Sequence, residues 1–251
     1  MGIRSTIKRL LRKNGYAVVR IPGSDSVYEF DGLISIHDHS FLKDPVFKKA
    51  YERGAAAAGD YQWYWRVHIG LWAASTASRL DGDFVECGVN RGFLSSAIMA
   101  YLNWDRTGKT FYLLDTFGGL DARQLGEGSL ESERNKEHLA QGFYVTGVDE
   151  VAKNFAEWKN VRIVQGAVPD TLVQVNAEKL SYLHIDMNAA LPEIAALEFF
   201  WDRLVPGAIV LLDDYAFYGY SEQKHAMDKL AIRISFSIAS LPTGQGLIVK
   251  T

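Results

Sequence analysis

From residue 84 onward, short apolar runs alternate with amphipathic stretches, and this alternation restricts what the chain can fold into more than any other feature. Residues 84–87, 110–114, 161–164, 182–185 and 208–212 have the length and continuous apolarity of strands buried on both faces, as parallel strands are. Residues 92–102, 148–158, 191–204 and 221–232 fill the gaps with helical spacing. Strand and helix in strict alternation predict an α/β fold with a doubly wound parallel sheet. The rhythm breaks near the end, where residues 234–239 and 246–250 are joined by Leu241-Pro242-Thr243-Gly244-Gln245. That linker leaves no room for a helix, so the two runs are expected to pair as an antiparallel hairpin.

The N-terminal third reads differently. Residues 1–20 hold six basic residues and no acidic one, with Ile3, Ile7, Leu10 and Leu11 at helical spacing. This predicts a basic amphipathic helix that either lies on an anionic membrane surface or docks its apolar stripe on the core or a partner subunit. Residues 30–60 show no regular pattern, and 61–78 predict a long aromatic-rich helix ending before Asp81-Gly82-Asp83. The expected organisation is a helical appendage over 1–80 and a ligand-binding domain over 81–251. A polar, Gly- and Glu-rich insertion at 116–144 follows the second strand, where a lid would sit.

Composition narrows the partners. With 27 basic against 30 acidic residues, and a net charge of −3, no global field draws the chain to nucleic acid. The single cysteine, Cys87, rules out a disulfide within the chain, which fits a reducing, cytoplasmic setting. No apolar run reaches the ~20 residues needed to span a bilayer, and none resembles a signal peptide. The expected partners are a small-molecule or glycan substrate and further copies of the chain in a homo-oligomer.

Two constellations carry chemistry. Asp83-Phe84-Val85-Glu86-Cys87-Gly88-Val89-Asn90-Arg91-Gly92 puts an acid and two glycines at a strand-to-helix turn. Gly88 and Gly92 would let backbone approach a ligand, the helix amides would face a carboxylate, and Glu86 would hold an ammonium group. Asp115 ends the next strand, where its carboxylate can accept from ribose hydroxyls, and Gly166 past the third strand would border an adenine. A nicotinamide site uses such an acid too, but its loop carries G-x-G-x-x-G, whereas Val89, Asn90 and Arg91 separate the glycines here. S-adenosylmethionine is the better match. The second constellation is Asp186, Asp213 and Asp214 at the ends of two later strands. Three carboxylates converging on one crevice repel one another unless a cation joins them, and Mg2+ or another divalent cation suits all-oxygen ligands. Helix capping and salt bridges are the plainer reading.

On these motifs, together with Leu114-Asp115-Thr116-Phe117-Gly118-Gly119, Leu183-His184-Ile185-Asp186, Val205-Pro206-Gly207 and Gly244-Gln245-Gly246, the chain resembles the macrocin O-methyltransferase family from about residue 82 onward. The family methylates sugar hydroxyls on antibiotics. The resemblance implies a Rossmann-like methyltransferase fold and a metal ion on Asp186, Asp213 and Asp214. It also implies S-adenosylmethionine against Glu86, Cys87, Gly88, Val89, Gly92, Asp115 and Thr116, and a mobile lid. It fails at one position. The family has Asp-x-Asp after the fourth strand, its second acid implicated as general base, where this chain has Asp186-Met187-Asn188. An amide cannot take a proton, so Asp186, His184 on the same strand face and His225 become the candidate acceptors, with Asn188 beside them. A non-catalytic S-adenosylmethionine-binding protein and a methyltransferase with a non-sugar acceptor are the competing readings. Tyr61, Trp63, Tyr64 and Trp65 either stack on sugar rings or belong to the core.

Overall fold

The computed structural model describes residues 3–16, 27–126 and 128–251. Two compact units emerge, Met1–His39 and Ser40–Thr251. The first holds helix α1 (Ile3–Lys13) and an antiparallel pair, β1 (Tyr28–Phe30) and β2 (Leu33–Ser35). The helix falls where the basic amphipathic pattern predicts it, and residues 17–20 of that segment lie outside the described residues. Asp31-Gly32 turns the hairpin with both φ angles positive, a two-residue signal hidden in the stretch read as irregular.

The second unit includes α2 (Pro45–Ala58) and α3 (Tyr64–Ala77) ahead of the sheet. The sequence reading missed α2 because glycine and alanine dilute its apolar stripe. Its start is nevertheless well specified: Asp44 caps the Val46 amide at 2.8 Å and Pro45 takes the first turn. Gly54 permits the close contact, since a Cβ there would stand 2.9 Å from the Phe93 ring.

The sheet and its crossovers follow: β3 (Asp83–Cys87), α4 (Phe93–Leu102), β4 (Phe111–Asp115), α5 (Leu130–Ala140), α6 (Val148–Phe155), β5 (Val161–Gln165), β6 (Leu180–Ile185), α7 (Ala190–Phe200), β7 (Leu204–Leu212), α8 (Ser221–Ile234), β8 (Ala239–Ser240) and β9 (Gly246–Val249). The spatial order is β5-β4-β3-β6-β7-β9-β8, with β5 to β7 parallel and β9 antiparallel to both its neighbours. This is the expected mixed α/β sheet with a terminal hairpin. The hairpin's first arm is shorter than predicted. Helix α8 runs on to Ile234 and stops at Ser235 in the left-handed region, and Phe236 then stacks on Trp201 instead of joining a ladder.

Two apolar layers hold the sheet. On one, Phe84 packs against Tyr182, Trp104 and Phe111 with ring centroids 5.0, 5.2 and 5.6 Å away. On the other, Leu183, Ile185, Leu197, Phe200 and Val210 form a second buried cluster with Met227 and Leu230 of α8. Every residue of β6 is buried, which explains its unbroken apolar reading and makes the one histidine within it conspicuous. No described helix is long and apolar enough to cross a membrane.

Candidate active site

Strand register brings the chemistry together. Glu86 pairs with Leu113 on one side and His184 on the other, Cys87 pairs with Ile185, and Ile185 with Leu212. Four strands therefore end at one level, and the residues that follow are Gly88, Asp186 and Asp213, with Asp115 closing β4. A cavity of about 310 Å³ opens there. Glu86, Gly88, Val89, Asp115, Thr116 and Gly166 line it together with His184, Asp186, Asn188, Asp213 and Asp214. The two constellations read from the sequence thus share one crevice at the carboxyl edge of the sheet.

The loop after β3 is shaped by its glycines. Gly88 has φ +92°, and a Cβ on it would fall 1.8 Å from the Asp186 carbonyl oxygen. No side chain fits where these two strand ends cross. Gly92 has φ +83° and precedes α4 against the Phe155 ring, so it serves the turn and the packing and does not line the cavity. Cys87 is also absent from the lining: its side chain is fully buried in the core, burial pushes its thiol up, and its carbonyl accepts from the Asp186 amide at 2.8 Å. Asp115 already organises the loop, accepting from the Val89, Asn90 and Phe117 amides at 2.7 Å each. A ribose would have to use the lone pairs that remain. Asn90 joins the loop to the end of the insertion, donating to Phe143 and accepting from the Val145 amide.

Glu86 links the two halves. One carboxylate oxygen pairs with His184 Nδ1 at 2.8 Å, while Oε2 is buried with no hydrogen-bond partner among the described residues. A buried carboxylate oxygen left unpaired is costly, and an incoming ammonium group would satisfy it. His184 Nε2 lies 3.7 Å from Asp213 Oδ1, too far for a hydrogen bond but within electrostatic reach. Burial alone would lower the imidazolium pKa; Asp213 and Glu86 outweigh it and raise it to about 10. His184 therefore holds its proton at neutral pH and is poorly placed to accept another.

The acid cluster contains a partner that the sequence reading missed. Arg66, buried on α3, donates through Nη2 to Asp213 Oδ2, to the Asp213 carbonyl at 3.0 Å and to Asp214 Oδ1 at 3.0 Å. Its guanidinium lies 4.6 Å from the Phe217 ring centre and 5.5 Å from that of Trp63. Gln245, in a motif noted without a role, donates to Asp213 Oδ1 at 2.9 Å. Burial acts to raise Asp213, but Arg66 and His184 overcome it and hold its carboxyl below the usual range. Asp214 is raised to about 6 by burial, with Arg66 opposing and Asp213 adding to the rise. Asp186 is raised well above the usual range, by burial first and then by Asp213 and Asp214. Asn188, with φ +57°, donates to Asp186 Oδ1 at 3.3 Å.

These residues fit a divalent cation. Glu86, Asp186, Asp213 and Asp214 set four carboxyl groups against two cations, Arg66 and protonated His184, and without a further cation Asp186 and Asp214 are pushed toward their neutral forms. Donor atoms of His184, Asp186 and Asp213 lie within 4.8 Å of one another. With His184 held by Glu86, the oxygens of Asp186 and Asp213 are the candidate ligands left in that group, and Arg66 bonds one oxygen each of Asp213 and Asp214. His225 is exposed on α8 and does not line the cavity, which removes it from the candidate proton acceptors.

The insertion covers the crevice with order of its own. Helix α5 is capped by Ser129, and Arg134 reaches from it to the Asn188 and Gly219 carbonyls at 3.1 and 2.9 Å, with its guanidinium 3.7 Å from the Tyr220 ring centre. Glu131 accepts from the Ala190 amide at 2.9 Å. Of the four aromatic residues noted in the sequence, Tyr61 and Trp63 line the cavity, stacked at 4.5 Å, while Tyr64 and Trp65 pack on Tyr51 and Phe41.

Comparison with known proteins is consistent with this geometry. The macrocin-O-methyltransferase (TylF) family profile matches residues 72–235. The chain is 30% identical over 146 residues to the 8-demethyl-8-(2,3-dimethoxy-alpha-L-rhamnosyl)-tetracenomycin-C 4'-O-methyltransferase of Streptomyces olivaceus, covering 56% of this chain and 55% of the relative. It is 26% identical over 155 residues to the mycinamicin III 3''-O-methyltransferase of Micromonospora griseorubida, covering 58% and 60%. The chain thus spans a little over half the length of these curated relatives. Among solved structures, the O-methyltransferase NovP superposes with a TM-score of 0.66 at 19% identity, over 85% of this chain and all of that one. The calicheamicin methyltransferase CalS11 gives 0.57 at 14%, over 85% and 94%. Both share the fold.

Proposed function

Given that the chain belongs to the macrocin O-methyltransferase family, we propose that it is an S-adenosylmethionine-dependent O-methyltransferase acting on a sugar hydroxyl with the help of a divalent cation, Mg2+ in the first instance. The carrying observation is the single cavity that joins the unpaired Glu86 oxygen and the Asp115 loop to the Asp186–Asp213 cluster.

S-adenosylmethionine, when bound, would supply an electrophilic methyl group, with its sulfonium sulfur as the leaving group for an acceptor oxygen. A divalent cation supplies a template and lowers the pKa of a hydroxyl it holds. In this reading Glu86 binds the donor's ammonium group, Gly88 lets backbone approach it, and Asp115 holds the loop while offering its remaining lone pairs to the ribose. His184 keeps Glu86 in position and sets its positive charge beside Asp213. Asp186 and Asp213 would hold the cation, whose charge would leave both deprotonated, Arg66 neutralises Asp214 and the second Asp213 oxygen, and Asp186, oriented by Asn188, would then be free to receive the acceptor's proton. Tyr61 and Trp63 give the acceptor an apolar wall, and α5 excludes water. The curated relative from Streptomyces olivaceus is named for O-methylation of a rhamnosyl-bearing tetracenomycin, which supports a sugar acceptor here.

The test is methyl transfer from labelled S-adenosylmethionine, with Mg2+, to a panel of nucleotide sugars and rhamnosides. Product formation that stops on chelation and with Asp213→Ala supports the reading. Donor binding with no product from any acceptor favours the non-catalytic alternative that Asn188 raises, and activity indifferent to chelation removes the cation.

A further inference from the structure

We propose that helix α1 is an anionic-membrane anchor that brings the protein to phospholipid surfaces. The inference stands apart from the methyltransferase reading. Over Ile3–Lys13 the helix carries Arg4, Lys8, Arg9, Arg12 and Lys13 and no acid. At 100° per residue, Ile7, Leu10 and Leu11 fall on one arc of about 100°, with Lys8, Arg9, Arg12 and Lys13 spread over the remainder. Ile7 and Leu10 are 52% and 64% exposed, and Lys8, Arg9, Arg12 and Lys13 are exposed without a carboxylate partner among the described residues.

An eleven-residue helix is marginal in water on its own, and helices of this length normally owe their stability to a buried apolar face. Here the described apolar side chains of that face are largely uncovered, so among the described residues α1 meets no surface that would bury them. Its chemistry selects which one. A strongly cationic polar face combined with a narrow apolar arc and low overall apolarity is the pattern of helices that lie in a lipid headgroup layer. Lys and Arg flanking the arc can extend their charged heads to lipid phosphates while their alkyl stems stay in the apolar layer. A second copy of the helix is a poor occupant, since it would bring another five cations against the first five. Anionic phospholipid neutralises them, and each Lys or Arg near such a surface is worth roughly fivefold in partitioning.

Flotation of the full chain with vesicles tests this. Wild type is expected to float with vesicles of phosphatidylcholine containing phosphatidylglycerol and to stay behind with phosphatidylcholine alone, with binding weakened by salt. Ile7→Glu with Leu10→Glu should abolish flotation, and Arg9→Gln with Arg12→Gln, which leaves the apolar arc intact, should lower partitioning by roughly 25-fold. No flotation, equal flotation with both vesicle types, or variants that float like wild type would each overturn the proposal. So would a mass doubling of the free protein, lost in Ile7→Glu with Leu10→Glu, without vesicle binding.

Discussion

Replacing Arg66 by alanine probes the electrostatics on which the site depends. The guanidinium is 5% exposed and bonds both Asp213 and Asp214, themselves buried, so solvent screening offers little relief when it is removed. Deleting one partner of a buried ion pair costs about 3–5 kcal/mol because the other charge is left uncompensated. In a domain of this size each kcal/mol moves Tm by about 2–4 °C, so Arg66→Ala should lower the Tm of the metal-free protein by roughly 6–20 °C. The pH dependence has a definite sign. Asp213 is held below its ordinary pKa in the fold by Arg66 and His184, so its contribution to stability is present above the unfolded carboxyl value and fades as pH falls through the depressed folded one. Without Arg66 that contribution shrinks, and the deficit against wild type should be larger at pH 7 than at pH 2.5, which lies between the unfolded and the depressed folded value. Scanning calorimetry at both pH values, with and without Mg2+, reads all three quantities. The variant's site has one positive charge fewer, so Mg2+ should stabilise it at least as much as it stabilises wild type. An unchanged Tm, or a deficit of the same size at both pH values, would refute the reasoning.

Three further outcomes follow from the same geometry. Glu86→Gln removes a charge-assisted contact of about 1.5–3 kcal/mol, so calorimetric titration should show S-adenosylhomocysteine binding roughly 10- to 150-fold more weakly. Gly88→Ala places a methyl group 1.8 Å from the Asp186 carbonyl, and the purified variant should show a lowered Tm together with loss of donor binding. Asp214 at about 6 and the raised Asp186 take up protons in the metal-free state, so Mg2+ affinity should fall as pH drops below about 6 and binding should release protons, measurable by titration in buffers of different ionisation enthalpy.

The fold was legible because buried parallel strands write themselves as continuous apolar runs, and the acids at their ends were legible for the same reason: the strand says where the crevice is. Glu86, Asp186 and Asp213 could be placed before any geometry was known. The Glu86–His184 pair could not, since the two residues are 98 positions apart and meet only through the register of β3 with β6. Arg66 was hidden by its setting among Trp63, Tyr64, Trp65 and Val67, which reads as an apolar helix; a lone arginine there is itself a signal, because a buried cation requires anionic partners. Cys87 and Gly92 lie within the cofactor motif, yet one faces the core and the other serves a turn, a distinction that spacing alone does not draw. Helix α2 escaped notice because packing against Phe93, through Gly54, substitutes for the apolar periodicity that would have marked it.

The most direct test of the account is a crystal structure of the protein with S-adenosylhomocysteine and Mn2+, read from the anomalous signal of the metal. The account predicts a single metal peak bonded to oxygens of Asp186 and Asp213, with the ligand's amino group on the free oxygen of Glu86. A metal bound elsewhere, no metal at all, or a ligand that leaves that Glu86 oxygen unpaired would contradict it.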